Sequence, residues 1–376
     1  MKILSIFNNK GGVGKSTLTY HLAHSLAALN KNVLLVDLDP QCNLTICALH
    51  EKELHDIWAV EDDYIEDFES SYEQNKTIIN NTRSIHFLLK PSEDGVSELK
   101  QLPPPKNIAK NVDIIPGRLS LHKFENKIAE RWSGLYQSEN LSIRTVTNIR
   151  SICKKYAEKY RYDYILIDTS PSLGILNKVI ISTVDGFFIP AQPDMFSLYG
   201  VRNIGNSLEL WQKEFQSIYS LLSDTKRNQF PEEFVQFLGY SIYNAKKYSK
   251  NKDSTAGNKY DLAQAHFQYV NKIPNTILEY IQKTNRKNFD DQQIANPIGE
   301  SSIIHTHNTF PAMAQALKCP MWEVPNVYAN LNDEQKDELK ENGFEFNQGN
   351  KGRLETIKEQ YIAFTQDFIK RVEQLG

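Results

Sequence analysis

The sequence predicts an α/β protein in which a mainly parallel, twisted sheet is flanked by helices. Short apolar runs of strand length recur along the chain, and the clearest lie at residues 3–7, 32–36 and 162–167. Polar residues follow each run, and after the first run leucines recur at helical spacing. Buried strands that alternate with helices are typical of a parallel sheet between helical layers.

Composition excludes several classes of protein. Of the 376 residues, 40% are apolar and 24% are charged, which is ordinary for a globular protein with a sizeable core. No apolar run approaches the ~20 residues that span a bilayer, and the N-terminus does not resemble a secretory signal. The four cysteines form no C-x-x-C pair, which argues against zinc fingers, iron–sulfur sites and a disulfide scaffold. We therefore expect a protein of the reducing cytosol.

Charge is distributed unevenly, although the formal net charge is only −3. Residues 51–75 carry a net charge of −9, whereas residues 245–287 carry +6. This asymmetry allows a basic surface for nucleic acid on a mildly acidic protein, while a solvated helix face and loop are the alternative. The candidate contacts are Lys246, Lys247, Lys250, Lys252, Lys283, Arg286 and Lys287.

A glycine-rich segment follows the first apolar run. It reads Lys10-Gly11-Gly12-Val13-Gly14-Lys15-Ser16-Thr17, and leucines then recur at spacings of four, four and three residues. A strand, a glycine-rich loop and a helix in this order are the context of a phosphate-binding loop. A purely structural glycine turn is the weaker alternative, because it does not explain the flanking elements.

The residue types in this loop suit a nucleoside triphosphate with Mg²⁺. Glycines let the backbone amides turn towards phosphate oxygens, and the helix N-terminus adds its positive end. Lys15 is placed to neutralise the β- and γ-phosphates, the Ser16 hydroxyl can ligate Mg²⁺, and Thr17 is expected to bond the α-phosphate. The residues expected to contact the nucleotide are Gly11, Gly12, Val13, Gly14, Lys15, Ser16 and Thr17.

One detail narrows the class of phosphate loop. The usual pattern has glycine six residues before the lysine, but this sequence has Asn9 there, followed by Lys10. The segment thereby resembles the deviant Walker A motif of the ParA/MinD family of dimerising ATPases. That resemblance implies a homodimer around two ATP molecules, in which Lys10 reaches the partner's nucleotide. Judged without the resemblance, a lysine at this point of a loop is more often solvated.

A pair of aspartates follows the second strand, in the segment Asp37-Leu38-Asp39-Pro40-Gln41. Strand alternation points Asp37 and Asp39 to the same side, beyond the carboxyl end of a strand where ligands bind in open α/β sheets. For a single aspartate, helix capping or a turn is the alternative. The segment resembles the family's D-x-D-P-Q motif, which implies that Asp39 orients the attacking water and Asp37 supports the magnesium shell.

A further set of motifs begins where the strand at residues 162–167 ends in Asp168, the Walker B pattern. Asp168 is expected to hold Mg²⁺ through a bound water. Residues 169–174 resemble the family's γ-phosphate loop, and residues 186–193 resemble its I-P-x-Q-P strand. A later strand ends at Asn244, where the family places a residue against adenine, although an Asn that caps a turn is equally plausible.

The domain organisation follows from the extent of the resemblance. We expect one ATPase domain over residues 1–325, with insertions at about 51–105 and 245–292, and a helical extension over residues 326–376 packed on that domain. The extension closes with an amphipathic helix between Leu354 and Leu375. Membrane binding by this helix is the alternative, but its net charge of +1 over residues 351–375 lacks the basic face that an anionic membrane favours.

Together the resemblances imply an ATP-gated switch of the ParA type, closest to the proteins that partition plasmids and chromosomes. ATP and Mg²⁺ would close two subunits, the dimer would hold DNA without reading its sequence, and a ParB-like partner would stimulate hydrolysis. The implied location is the cytoplasm, in part on the nucleoid. Two alternatives stay open: a MinD-like positioning or regulatory ATPase acting on a protein or membrane cargo, and a P-loop biosynthetic ligase that phosphorylates a small substrate.

Overall fold

The computed structural model of the protein describes residues 1–243, 260, 262–300, 303–304 and 309–375. Its strands form one eight-stranded sheet in the order β3-β4-β2-β5-β1-β6-β7-β8, parallel except where β3 pairs with β4. This confirms the predicted sheet. The strands are β1 Lys2–Ile6, β2 Val33–Leu38, β3 Lys106–Ala109, β4 Val112–Ile115, β5 Tyr164–Thr169, β6 Gly186–Ala191, β7 Gln236–Tyr243 and β8 Ile303–Ile304.

Helices connect and cover these strands. Those in the first half of the chain are α1 Lys15–Ala28, α2 Asn43–Ala48, α3 Glu51–Ala59, α4 Asp62–Glu66, α5 Phe68–Gln74, α6 Ile85–Asp94, α7 His122–Arg131, α8 Asn140–Tyr160 and α9 Ile175–Thr183. Those in the second half are α10 Met195–Leu221, α11 Asp224–Arg227, α12 Gln264–Val270, α13 Ile273–Tyr280, α14 Asp291–Ala295, α15 Thr309–Ala316, α16 Val324–Ala329, α17 Asp333–Glu341 and α18 Lys351–Glu373. Helix α1 packs on β2, β5 and α18, while α6, α7 and α9 pack around α8.

The first strand, loop and helix form as the sequence predicts. Strand β1 is almost wholly buried between β5 and β6, which explains its run of apolar residues. Helix α1 starts directly after Gly14, whose φ of 76° lies in the left-handed region. It ends just before Asn30, whose φ of 59° is also left-handed, as expected for an Asn after a helix C-terminus.

The acidic insertion is mostly helical, and buried polar groups attach it to the loop after β4. Glu61 is fully buried, accepts hydrogen bonds from the Ser84 hydroxyl (2.6 Å) and amide (2.7 Å), and pairs with Arg118 (3.2 Å). Trp58 Nε1 donates to the Gly117 carbonyl at 3.0 Å. The loop at residues 116–118 is therefore fixed between the insertion and the sheet.

The C-terminal helix α18 contributes to the same core as the sheet. Leu354, Tyr361, Phe364 and Phe368 are buried within it, so the apolar stripe noted in the sequence faces the protein interior. Polar contacts supplement this packing, because Arg371 Nη1 donates to the Leu238 carbonyl of β7 at 2.9 Å. With its apolar side buried, α18 offers no such stripe to a membrane surface in this conformation.

Candidate functional site

Four segments with polar residues meet at one edge of the sheet, where the strands end. They are the loop after β1, the aspartates at the end of β2, Asp168 in β5, and the segment after β6. Asp168 lies opposite Asp37 in one neighbouring strand and opposite Ile6 in the other. This edge is where ligands bind in open α/β sheets, and it brings the predicted loop and carboxylates together.

The glycine-rich loop has the backbone conformation that its glycines permit. Gly12 and Gly14 have φ values of 72° and 76°. A Cβ added to Gly14 would lie 2.0 Å from the ring of Tyr243, so that close approach also requires glycine. Lys15 is buried, and its ammonium donates to the Lys10 carbonyl of the same loop at 3.3 Å. Phosphate oxygens are stronger acceptors than this carbonyl and would replace it.

Asp168 is a buried carboxylate that its neighbours compensate only in part. It is fully buried, and among the described residues neither of its oxygens accepts a hydrogen bond. Burial, followed by the nearby Asp37, raises its pKa well above the ordinary value, although Ser16 and Lys15 oppose the shift. A buried oxygen ligand of this kind beside the Ser16 hydroxyl fits Mg²⁺, which would supply the missing positive charge.

The two aspartates after β2 differ in their contacts. Asp37 Oδ2 accepts from the Thr45 hydroxyl (2.6 Å) and amide (2.8 Å), and Oδ1 accepts from the Asp39 amide at 3.1 Å. Burial raises the pKa of Asp37 to about 6 despite these bonds. Asp39 is 3% exposed, and its Oδ1 accepts from the Gln41 amide at 2.9 Å. Asp37 thus anchors α2 to the strand end, and its support of a magnesium shell stays a prediction.

Lys10 is held by residues of its own chain. Its ammonium lies 2.5 Å from Asp194 Oδ2 and 2.9 Å from Gln192 Oε1, and 5.8 Å from the centre of the Phe196 ring. Burial would raise the pKa of Asp194, but the hydrogen bonds from Lys10 and Ser197, together with the charge of Lys10, lower that pKa. Asp194 also caps α10, because its Oδ1 accepts from the Ser197 amide at 2.9 Å. A role for Lys10 across a dimer requires release from these groups.

Sequence reasoning missed three residues of the site. Gln192 and Asp194 hold Lys10, and Asn177 holds the loop after β5 by donating to the carbonyls of Ser170 (2.9 Å) and Ser172 (2.8 Å). Gln192 lies in the I-P-x-Q-P segment, and Asp194 precedes a helical pattern as a helix N-cap does. The sequence therefore contained a pattern from which each could have been predicted. Asn177 lies inside an apolar helix, and no sequence pattern predicted its role.

The predicted adenine and DNA contacts are only partly described. Asn244, Lys246, Lys247, Lys250 and Lys252 lie outside the described residues. Lys283 is exposed, as a DNA contact requires.

Two other DNA candidates have partners within the chain. Lys287 pairs with Glu233 at 2.6 Å. The prediction for Arg286 is wrong, because this side chain is 5% exposed, donates Nε to the Ile281 carbonyl at 3.0 Å and pairs with Asp291. Its guanidinium stabilises the turn after α13.

Among the described helices, none has the length and apolar character needed to cross a membrane.

Replacing Asp168 with asparagine should stabilise the protein without nucleotide by about 2 kcal/mol at pH 7, because it removes a buried carboxylate that Lys15 and Ser16 compensate only in part. Since the pKa of Asp168 is raised, its destabilising effect is absent below about pH 4 and develops as the pH rises. Denaturant unfolding of wild type and Asp168→Asn between pH 4 and 7.5 measures this difference. A variant less stable than wild type at pH 7 would show that the carboxylate is compensated.

Comparisons with known proteins place the chain in a family. A family model described as an AAA domain matches residues 1–221. Sporulation initiation inhibitor protein Soj of Bacillus subtilis (strain 168) is 30% identical over 251 residues, which are 64% of this chain and 82% of Soj. Chromosome partitioning protein ParA of Myxococcus xanthus (strain DK1622) is 26% identical over 245 residues, which are 64% of this chain and 71% of that protein.

Solved structures share the fold. The structure of pNOB8 ParA matches 99% of this chain and 98% of its own, with a TM-score of 0.54 and 19% identity. A second structure, of pNOB8 ParA bound to nonspecific DNA, has a TM-score of 0.51 and 18% identity over the same shares of both chains. The family match over more than half of the chain, the motifs and this fold show that the protein belongs to the ParA/MinD family of deviant Walker A ATPases.

Proposed function

We propose that this protein is an ATP-dependent, dimerising switch ATPase of the ParA type that acts in the partitioning of plasmid or chromosomal DNA. The observation that carries the proposal is the meeting of Lys10, Lys15, Asp39 and Asp168 at the carboxyl edge of one parallel sheet. Membership of a family that includes Soj and a chromosome-partitioning ParA supports it.

The loop would bind the triphosphate of ATP. Its amides and the N-terminus of α1 would donate to phosphate oxygens, and Lys15 would exchange its contact with the Lys10 carbonyl for these oxygens. Ser16 and Asp168 would hold Mg²⁺, with Asp37 behind Asp168 in the adjacent strand. When bound, Mg²⁺ would offset the negative charge of the phosphates.

Hydrolysis to ADP and phosphate would depend on the placement of water. Asp39 has one carboxylate oxygen fixed by the Gln41 amide, which would leave the other to orient the attacking water. Asn177 would keep the loop at residues 169–174 in place for the γ-phosphate. We expect slow turnover by the protein alone and faster turnover with a ParB-like partner.

The switch would work by dimerisation. In the closed homodimer, Lys10 of each subunit would leave Asp194 and Gln192 for the phosphates of the other subunit's ATP. This exchange of partners by Lys10 would be favourable, because a triphosphate presents more negative charge to an ammonium group than one carboxylate does. Molecular mass in solution tests this step: we expect a dimer with ATP, and monomers with ADP and without nucleotide.

The closed dimer would bind DNA through a basic surface. The protein would be located in the cytoplasm, in part on the nucleoid. Lys283 is exposed, and the related pNOB8 ParA has been solved bound to nonspecific DNA. The contacts that we propose are Lys246, Lys247, Lys250, Lys252, Lys283 and Lys287.

With ATP, the protein should retain unrelated DNA duplexes equally well, and the logarithm of affinity should fall with the logarithm of salt by about 0.9 per phosphate contact. The double variant Lys246→Glu, Lys247→Glu should therefore have a slope that is smaller by about two. Fluorescence anisotropy over a series of salt concentrations measures it. The charge-matched control is Lys336→Glu, Lys340→Glu on α17, which should bind DNA as wild type does. No retention by wild type at low salt with ATP would overturn the DNA part of the proposal.

A further inference from the structure

A cavity of about 290 Å³ lies beside helix α8. Arg150 in its wall pairs with Asp185 at 2.8 Å, and Asp185 Oδ2 accepts from the Ile3 amide, at the start of β1, at 2.8 Å. The cavity therefore lies near the amino ends of the strands, whereas the phosphate loop follows the carboxyl end of β1. The two are separate sites on the sheet.

One face of α8 supplies most of the cavity wall. Arg144, Asn148, Ser151 and Lys155 follow one another at intervals of four, three and four residues, so they lie on the same side of the helix. The wall is completed by residues from other segments, among them Glu98, Asn228 and Gln229.

Three buried N–H donors of this wall have no acceptor in the described part of the chain. They are Asn148 Nδ2, Arg144 Nε and Arg150 Nε, and Asn148 as a whole is only 2% exposed. The guanidinium of Arg150 is fixed, because Nη1 donates to the Thr183 carbonyl at 2.6 Å and Nη2 to Asp185 at 2.8 Å. Buried donors without an acceptor are unfavourable, so a ligand that offers acceptor atoms here would bind favourably.

The charge of the wall indicates the sign of that ligand. Four cations line the cavity against two carboxylates, Glu98 and Glu158. Glu98 is already paired with Lys155 at 2.7 Å. Arg144 and Lys154 form no ion pair with a described residue. The cavity therefore keeps positive charge that its own carboxylates do not neutralise, and an anion fits it better than a neutral group does.

We propose that this cavity binds the phosphate group of a small soluble compound, or phosphate itself. A phosphate carries negative charge and several acceptor oxygens, which match the cations and the three unbonded donors. The cavity has the volume of about ten waters at ~30 Å³ each, enough for a phosphate and a few further atoms. Because Asn148 is buried, a free compound reaches it more readily than a phosphate in a duplex backbone does. This site is additional to the proposed function and does not depend on it.

The test is calorimetric titration of the full chain with phosphate and with pyrophosphate. The protein carries Lys15→Ala, so that the nucleotide loop contributes little to binding, and we expect it still to bind these anions. Adding Asn148→Leu, which keeps the size of the side chain but removes the donor, should weaken binding at least about tenfold, the value of a hydrogen bond to a charged group. Thermal unfolding in chloride buffer checks that both proteins are folded.

A second pair of variants tests the charge without changing a buried residue. Lys154→Gln, in the same Lys15→Ala protein, should weaken binding of both anions several-fold, because it removes a cation from the cavity. The matched control is Lys159→Gln, which makes the same substitution on the same helix. Lys159 is exposed, lies outside the cavity and contacts the Tyr160 ring at 5.1 Å, so this variant should keep its affinity.

Three results would overturn the proposal. If the Lys15→Ala protein binds neither anion, water satisfies the buried donors and there is no phosphate site. Equal affinities of Lys154→Gln and Lys159→Gln would place the bound anion elsewhere. If Asn148→Leu, with Lys15 intact and ATP present, retains duplex DNA less well than wild type, the phosphate belongs to nucleic acid and not to a small compound.

Discussion

Lys10→Ala should abolish dimerisation with ATP and lower partner-stimulated hydrolysis by ~10³-fold or more, the range of residues that act across an interface in phosphoryl transfer. The physical reason is that Lys10 is the group expected to place positive charge on the other subunit's phosphates, whereas Lys15 serves its own. ATP binding by the monomer should therefore persist. Light scattering with ATP and a coupled phosphate assay measure the two effects.

The matched control for Lys10→Ala is Asp194→Asn. It removes the charge that holds Lys10 within its own chain, yet asparagine can still cap α10. We expect this variant to dimerise at lower ATP concentration than wild type, since Lys10 no longer has to leave a carboxylate. Wild-type dimerisation and turnover by Lys10→Ala would contradict the switch and favour a P-loop ligase, which needs no lysine from a second subunit.

Asp39→Ala should hold the protein in its ATP-bound dimer. Without the carboxylate that orients water, hydrolysis should fall by ~10²–10⁴-fold, while Lys15, Ser16 and Asp168 continue to bind ATP and Mg²⁺. The dimer should then persist for hours after dilution, in contrast to a wild-type dimer that decays as ATP is consumed. Size-exclusion chromatography at intervals after ATP addition measures its lifetime.

Asp39→Asn is the control for local structure. Its side-chain oxygen can still accept from the Gln41 amide, so a lifetime equal to that of Asp39→Ala would assign the effect to the lost charge and not to a disturbed loop. An Asp39→Ala variant that hydrolyses ATP at the wild-type rate would show that another group orients the water.

Local patterns predicted the parts of the site that lie within one segment. The loop from Lys10 to Thr17 and the strand ends at Asp37 and Asp168 could be recognised because each is a short motif in a strand context. The structure adds their relation: β2 and β5 are neighbours, so Asp37 lies directly opposite Asp168. Strand order depends on how distant segments pack, and no local pattern contains it.

Side-chain partners were the least predictable feature. Arg286 stands in a run of cations, yet its guanidinium bonds a carbonyl five residues earlier and a neighbouring aspartate. A charge count cannot distinguish a cation that faces solvent from one that stabilises a turn. Likewise, Tyr361 lies 340 residues after His21 in the sequence, and only the packing of α18 stacks their rings, whose centres are 5.3 Å apart.

The attachment of the acidic insertion has a consequence for how this protein can diversify. Its links to the sheet edge that carries Asp37 and Asp168 run inwards, from Trp58 to Gly117, from the Gly117 amide to the Thr45 hydroxyl at 2.8 Å, and from Thr45 to Asp37. None of these three links uses the outward carboxylates of α3, α4 and α5, although Asp62 of α4 pairs with Arg118 in the loop after β4. Apart from Asp62, substitutions on that outer surface can therefore accumulate without altering the links to Asp37, which makes this surface a place where related proteins can acquire different binding partners.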